Sequence, residues 1–85
     1  MKSLLIIEAK KSPEFLERLL RVCRHRGFSV DSINAETGNS QQATHITLTV
    51  CSNREISLLT KQIEKIVGVM QVATLQQEQN IKATA

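Results

Sequence analysis

The chain has no tryptophan and no tyrosine, and two phenylalanines are its entire aromatic content, 2% of 85 residues. An RNA-recognition sheet stacks bases on aromatic rings carried by its central strands, and Phe15 and Phe28 both fall outside the segments that read as such strands. Base stacking of that kind is excluded. Cysteine is as scarce: Cys23 lies on the apolar face of a helical segment and Cys51 ends a strand, places where free thiols behave as small hydrophobes. Neither His25 nor His45 stands at ligand spacing from them, so no metal site is expected, and unpaired thiols fit a reducing compartment. One proline and three glycines leave no linker to divide the chain, and 85 residues make one domain that buries only about 60 to 65% of its unfolded surface. No apolar run approaches the roughly 18 to 20 residues of a membrane span. The opening MKSLLIIEAKK brings Glu8, Lys10 and Lys11 before any small-residue cleavage site, so it reads as a strand and not an export signal. The expected location is the cytoplasm.

What the chain does have is concentrated between Ser12 and Asp31, SPEFLERLLRVCRHRGFSVD. Ser12 is a natural N-cap and Pro13 suits the first helical position, where its missing N–H has no partner to lose. Leu16, Leu19, Leu20 and Cys23 recur at i, i+3, i+4 and i+7, which puts them on one face to pack, with Glu14, Glu17, Arg18, Arg21 and His25 elsewhere. Gly27 is a hard stop. Net charge is +3, yet residues 10 to 26 carry six basic and two acidic side chains, +4, so the rest sums to −1. That local patch can steer toward an acidic protein surface or toward phosphates, or be a solvated face partly self-paired through Glu14 with Arg18 and Glu17 with Arg21.

Ser3 to Ala9 reads as a central strand, Phe28 to Glu36 as a second, and TGNSQQ over 37–42 as a loop. Ala43 to Cys51 alternates cleanly, with Thr44, Ile46, Leu48 and Val50 on one face and His45, Thr47 and Thr49 on the other. Ser52 or Asn53 can cap a second helix, in which Ile56, Leu59, Ile63, Ile66 and Val67 keep a helical period until Gly68. Val69 to Leu75 is a last strand, and residues 77–85 read as a polar, disordered tail beyond a domain over 1–76. The order β-α-β-β-α-β predicts an α+β, ferredoxin-like two-layer sandwich: a four-stranded antiparallel sheet, first and third strands central, with two helices on one face. It leaves the second strand at an unpaired edge, which predicts a homodimer that joins edges or stacks sheet faces.

The fold hosts unrelated functions, so side chains must decide. A metal chaperone of this shape needs a cysteine pair in the first loop, where Lys10, Lys11 and Ser12 stand. An acyl-phosphate hydrolase needs an asparagine to position water, but Asn34 ends the second strand and Asn39 lies in a loop. His25 reads as a charge at a helix C-terminus and His45 as a cross-strand partner, neither with a catalytic companion. No catalytic residue is assigned, and the chain is expected to bind and not to react.

Leu16-Glu17-Arg18, Leu20-Arg21-Val22, Arg24-His25-Arg26-Gly27-Phe28, Ser32 with Asn34, Leu48-Thr49-Val50 and the Leu59 to Val72 segment ending KIVGVMQV together resemble the ACT-domain family. More narrowly, they are similar to the small regulatory subunits of acetolactate synthase (acetohydroxyacid synthase), isozyme II type, over roughly residues 3 to 75. The resemblance implies a non-catalytic subunit that activates and stabilises a large subunit in valine, leucine and isoleucine biosynthesis. It puts thiamine diphosphate, magnesium and FAD in that large subunit and none in this chain. Candidate contacts with it are Arg18, Arg21, Arg24, His25, Arg26 and Phe28. Valine-responsive relatives carry asparagine and glycine before the first helix and asparagine on the next strand, holding an effector across a dimer interface. The matching positions here are Lys11, Glu14 and Ser29. Pro13 removes one donor and the Glu14 carboxylate repels another anion, so the site is expected to be self-filled and valine feedback weak or absent, unless Lys11 attracts the effector in their place. Two other functions stay open at this point: a free-standing ACT-type amino-acid sensor acting on another enzyme, and a nucleic-acid binder using the basic helix.

Overall fold

The computed structural model describes residues 2–37 and 43–78, with side chains through Leu75. The elements are β1 (Lys2–Lys10), α1 (Phe15–His25), β2 (Ser29–Thr37), β3 (Ala43–Cys51), α2 (Ile56–Glu64) and β4 (Val69–Glu78). All pairings are antiparallel in the order β2-β3-β1-β4, which places the first and third strands centrally as predicted.

The period-2 pattern of the two central strands organises the core. Ser3, Leu5, Ile7 and Ala9 of β1 are buried, as are Ile46, Leu48 and Val50 of β3, and the register sets Leu5 opposite Leu48 and Ile7 opposite Ile46. Phe15, Leu19 and Cys23 of α1 and Leu59 and Ile63 of α2 close over this surface. Each such leucine or isoleucine contributes about 1.5 to 3 kcal/mol on burial. The other sheet face carries Leu4, Ile6, Glu8, His45, Thr47 and Thr49, and among the described residues no layer covers it.

The C-terminus of α1 follows its sequence closely. Gly27 adopts φ +83°, the Phe28 N–H donates to the Cys23 carbonyl at 2.9 Å and the Gly27 N–H to the Arg24 carbonyl at 3.1 Å. These are the two bonds of a Schellman stop, and the residues at its ends, Phe28 and Cys23, are both in the core.

Elsewhere the structure departs from expectation. The first helix begins at Phe15, because Ser12, Pro13 and Glu14 form a turn in which Ser12 Oγ accepts the Glu14 N–H at 3.4 Å and the Ser12 carbonyl accepts that of Phe15 at 3.2 Å. Leu16 and Leu20, expected to pack, remain 38% and 37% exposed, since the apolar stripe is wider than the surface available under it. Val67 is 81% exposed because α2 ends at Glu64 and the chain turns before Gly68. Of the two predicted helix ion pairs only Glu14–Arg18 forms within contact distance. Thr37 belongs to β2, and residues 38–42 of the expected loop lie outside the described residues. The last strand runs to Glu78, past the expected domain boundary at 76, because backbone pairing with Lys2 and Ser3 sustains it without an apolar pattern. The remainder of the expected tail, residues 79–85, lies outside the described residues.

Two consequences can be measured. Gly27→Ala should destabilise the fold by about 1 to 2 kcal/mol in urea melts, since a side chain at positive φ is strained. Burial pushes the Cys23 thiol up from 9.0 to about 11, against a smaller downward pull from a backbone hydrogen bond. The unfolded thiol ionises first as pH rises, so stability should be intact below pH 9.0 and fall between there and about 11. Cys23→Ala should flatten that fall. Alkylation at neutral pH should mark half-buried Cys51 well before buried Cys23.

Candidate functional site

Three surfaces flank α1. At its N-terminal end a cleft of about 340 Å³ opens between the β1–α1 turn (Lys11, Ser12, Pro13), the start of α1 (Phe15, Leu16) and the sheet (Ala35, Thr37, Thr44, Ile46). It is mainly apolar, with Lys11 the one charged residue among the described residues that line it. Glu14 was expected to fill this place, but its carboxylate turns outward, where it accepts a hydrogen bond from Arg18 Nη2 at 3.2 Å. An i, i+4 partner on the same helix wins because both groups stay largely in water. Glu14 is not among the described residues that line the cleft.

Ser29, the third effector-equivalent position, begins β2 at the opposite end and lines a separate hollow of about 310 Å³ with Leu20, Arg24, Phe28 and Val30. Within one chain, therefore, Lys11 and Ser29 do not meet. Between the two hollows runs the free edge of β2, with Leu16, Leu20 and Ile33 each more than a third exposed beside it.

The third surface is cationic. Arg18, Arg21, Arg24, His25 and Arg26 are all exposed, held out by a helix whose opposite side is the core. Phe28 is 5% exposed and belongs to that core, so it supports the corner from beneath. Arg54 was missed by sequence reasoning. The Ser52 hydroxyl donates to the Gly27 carbonyl at 2.9 Å and accepts the Arg54 N–H at 3.0 Å, which joins the β3–α2 loop to the end of α1. No local sequence signal joins segments that lie 25 residues apart.

On the open sheet face His45 stands opposite Glu8 and Glu36, with His45 Nε2 3.7 Å from Glu8 Oε2. This is the cross-strand pairing expected of it. Among the described residues no three His, Cys, Asp or Glu side chains converge on a possible metal site, and no helix is long and apolar enough to cross a membrane.

Comparison with known proteins gives a consistent picture. The family described as the ACT domain matches residues 11–72. The acetolactate synthase isozyme 2 small subunit of Escherichia coli strain K12 is 47% identical over 70 residues, 82% of this chain and 80% of the relative. That of Shigella flexneri has the same identity and coverage. Among solved structures, the acetolactate synthase small subunit of Thermotoga maritima superposes with a TM-score of 0.77 at 20% identity, covering 87% of this chain and 47% of that one. The ACT domain of the GTP pyrophosphokinase of Chlorobium tepidum reaches 0.74 at 13% identity, covering 88% and 97%. At such identities the superpositions show the shared fold.

Proposed function

The chain belongs to the ACT-domain family, and we propose that it is the regulatory small subunit of an acetolactate synthase in branched-chain amino-acid biosynthesis. It is not itself an enzyme. The observation that carries this is the 47% identity with the isozyme 2 small subunit across 70 residues, which span nearly the whole two-layer domain. Its partner is a large catalytic subunit in the cytoplasm, which holds thiamine diphosphate, magnesium and FAD, while this chain activates and stabilises it. The cationic face of Arg18, Arg21, Arg24, His25 and Arg26 supports docking to that subunit, because arginine forks pair bidentately with carboxylates.

The chain acts as a homodimer joined through β2. Among the described residues both sheet edges are unpaired, but β4 breaks register with β1 twice, between Leu4 and Leu5 and between Glu8 and Ala9, and such bulges protect an edge by twisting it. In β2 the irregularity is confined to Val30–Ser32, and from Ser32 to Thr37 the strand continues unbroken beside the exposed Leu16, Leu20 and Ile33. An antiparallel two-fold pairing centred on Ile33 would set Ser29 of the partner subunit near Thr37, a residue of the Lys11 cleft. The two halves of the effector position would then meet across the dimer.

Valine feedback through that position is weak or absent, for one of the two reasons expected. Glu14 pairs with Arg18, but the donors that would receive a carboxylate at the α1 N-terminus are depleted. Pro13 has none, and those of Glu14 and Phe15 already face Ser12.

Reconstitution with a large subunit should raise acetolactate formation, and valine should leave the rate nearly unchanged; no activation at any ratio would overturn the assignment. Tight valine binding in calorimetry would overturn the insensitivity. Leu20→Glu should shift the sedimenting species from dimer to monomer at micromolar concentration. Arg21→Glu should raise the small-subunit concentration needed for half-maximal activation about fivefold without affecting the dimer.

A further inference from the structure

The β3–α2 loop adds to the basic end of α1 a cation whose position depends on a glycine 27 residues earlier in the chain. A Cβ on Gly27 would come within 2.9 Å of Arg54 Nε and 3.4 Å of its Cδ, so the arginine side chain lies directly against the bare backbone of the helix stop. The loop is fastened there. Ser52 Oγ bonds the Gly27 carbonyl on one side and the Arg54 N–H on the other, at 2.9 and 3.0 Å.

We propose that Arg54, laid over Gly27 beside His25 and Arg26, is part of the surface that receives an acidic segment of the catalytic partner, and that it is a principal determinant of that affinity. The proposal rests on the function given above and extends it to a residue from the other half of the chain. Ion pairs among the described residues are confined to Lys2–Asp31, Arg18–Glu14 and His45–Glu8. Arg26 and Arg54 thus sit in one corner with no carboxylate of the described residues at contact distance. Like charges gathered this way repel in the free protein, and a carboxylate from outside removes that repulsion while filling the guanidinium forks. An arginine held against backbone also loses less side-chain entropy on binding than one free in solvent. Carboxylate is favoured over a nucleic acid because no tyrosine or tryptophan is present to stack a base.

The test is titration of a large acetolactate synthase subunit with wild-type chain, Arg54→Lys and Arg54→Glu at low and physiological salt, reading acetolactate formation. Circular dichroism and sedimentation confirm that each variant is folded and dimeric. Arg54→Glu should raise the half-activating concentration about tenfold or more while maximal activity at saturation is retained. Arg54→Lys, which keeps charge but loses the fork, should fall between, and poly-L-glutamate should compete against wild type more strongly than against Arg54→Glu. Wild-type half-activation by Arg54→Glu would overturn the proposal and leave the regulatory function standing. Salt-dependent oligonucleotide binding that Arg54→Glu abolishes, with activation untouched, would overturn it in favour of nucleic acid. A wild-type chain that activates nothing would overturn both.

Discussion

The packing of one face of the β1–β3 pair against two helices is the interaction on which the rest of the molecule depends. Leu5, Ile7, Ile46, Leu48 and Val50 present a continuous apolar surface, and Phe15, Leu19, Cys23, Leu59 and Ile63 complete it. Among the described residues there are two helices and four strands, so this single layer contact uses both helices as covering material. The uncovered sheet face, the free edge of β2 and the outer side of α1 are consequences of that shortage.

Those surfaces are nevertheless differentiated. Beside β2 the exposed residues are Leu16, Leu20 and Ile33, which lose water readily and suit a second copy. At the end of α1 they are arginines, which suit a charged partner and tolerate exposure when unbound. The Schellman stop at Gly27 separates the two kinds of surface. It ends the helix, sends Phe28 into the core, and leaves a patch of bare backbone against which Arg54 lies. One glycine thus serves folding and the shape of the cationic corner at once.

The N-terminal end of α1 shows how local bonding sets what a helix terminus can offer. Glu14 pairs with Arg18 on its own helix. Pro13 brings no N–H, and the N–H groups of Glu14 and Phe15 are directed at Ser12, so few donors remain there for an outside carboxylate.

The element order, the central position of β1 and β3, the Gly27 stop and the buried side of β3 were all legible in the chain, because each rests on a local period or on one residue's backbone freedom. The ends of elements were less so: the Ser12 cap fell on a turn before α1, and β4 outran its apolar pattern to Glu78, since neighbouring backbone, not side-chain polarity, decides where a strand stops. Period alone could not tell that Leu16 and Leu20 overhang the edge or that Val67 faces water, for exposure depends on what lies across from a residue. By itself the sequence determined the two-layer fold and the basic character of α1. Only tertiary structure decided that Lys11 and Ser29 stand in separate hollows at opposite ends of α1 and that Arg54 reaches Gly27, because each depends on how separate elements pack against one another.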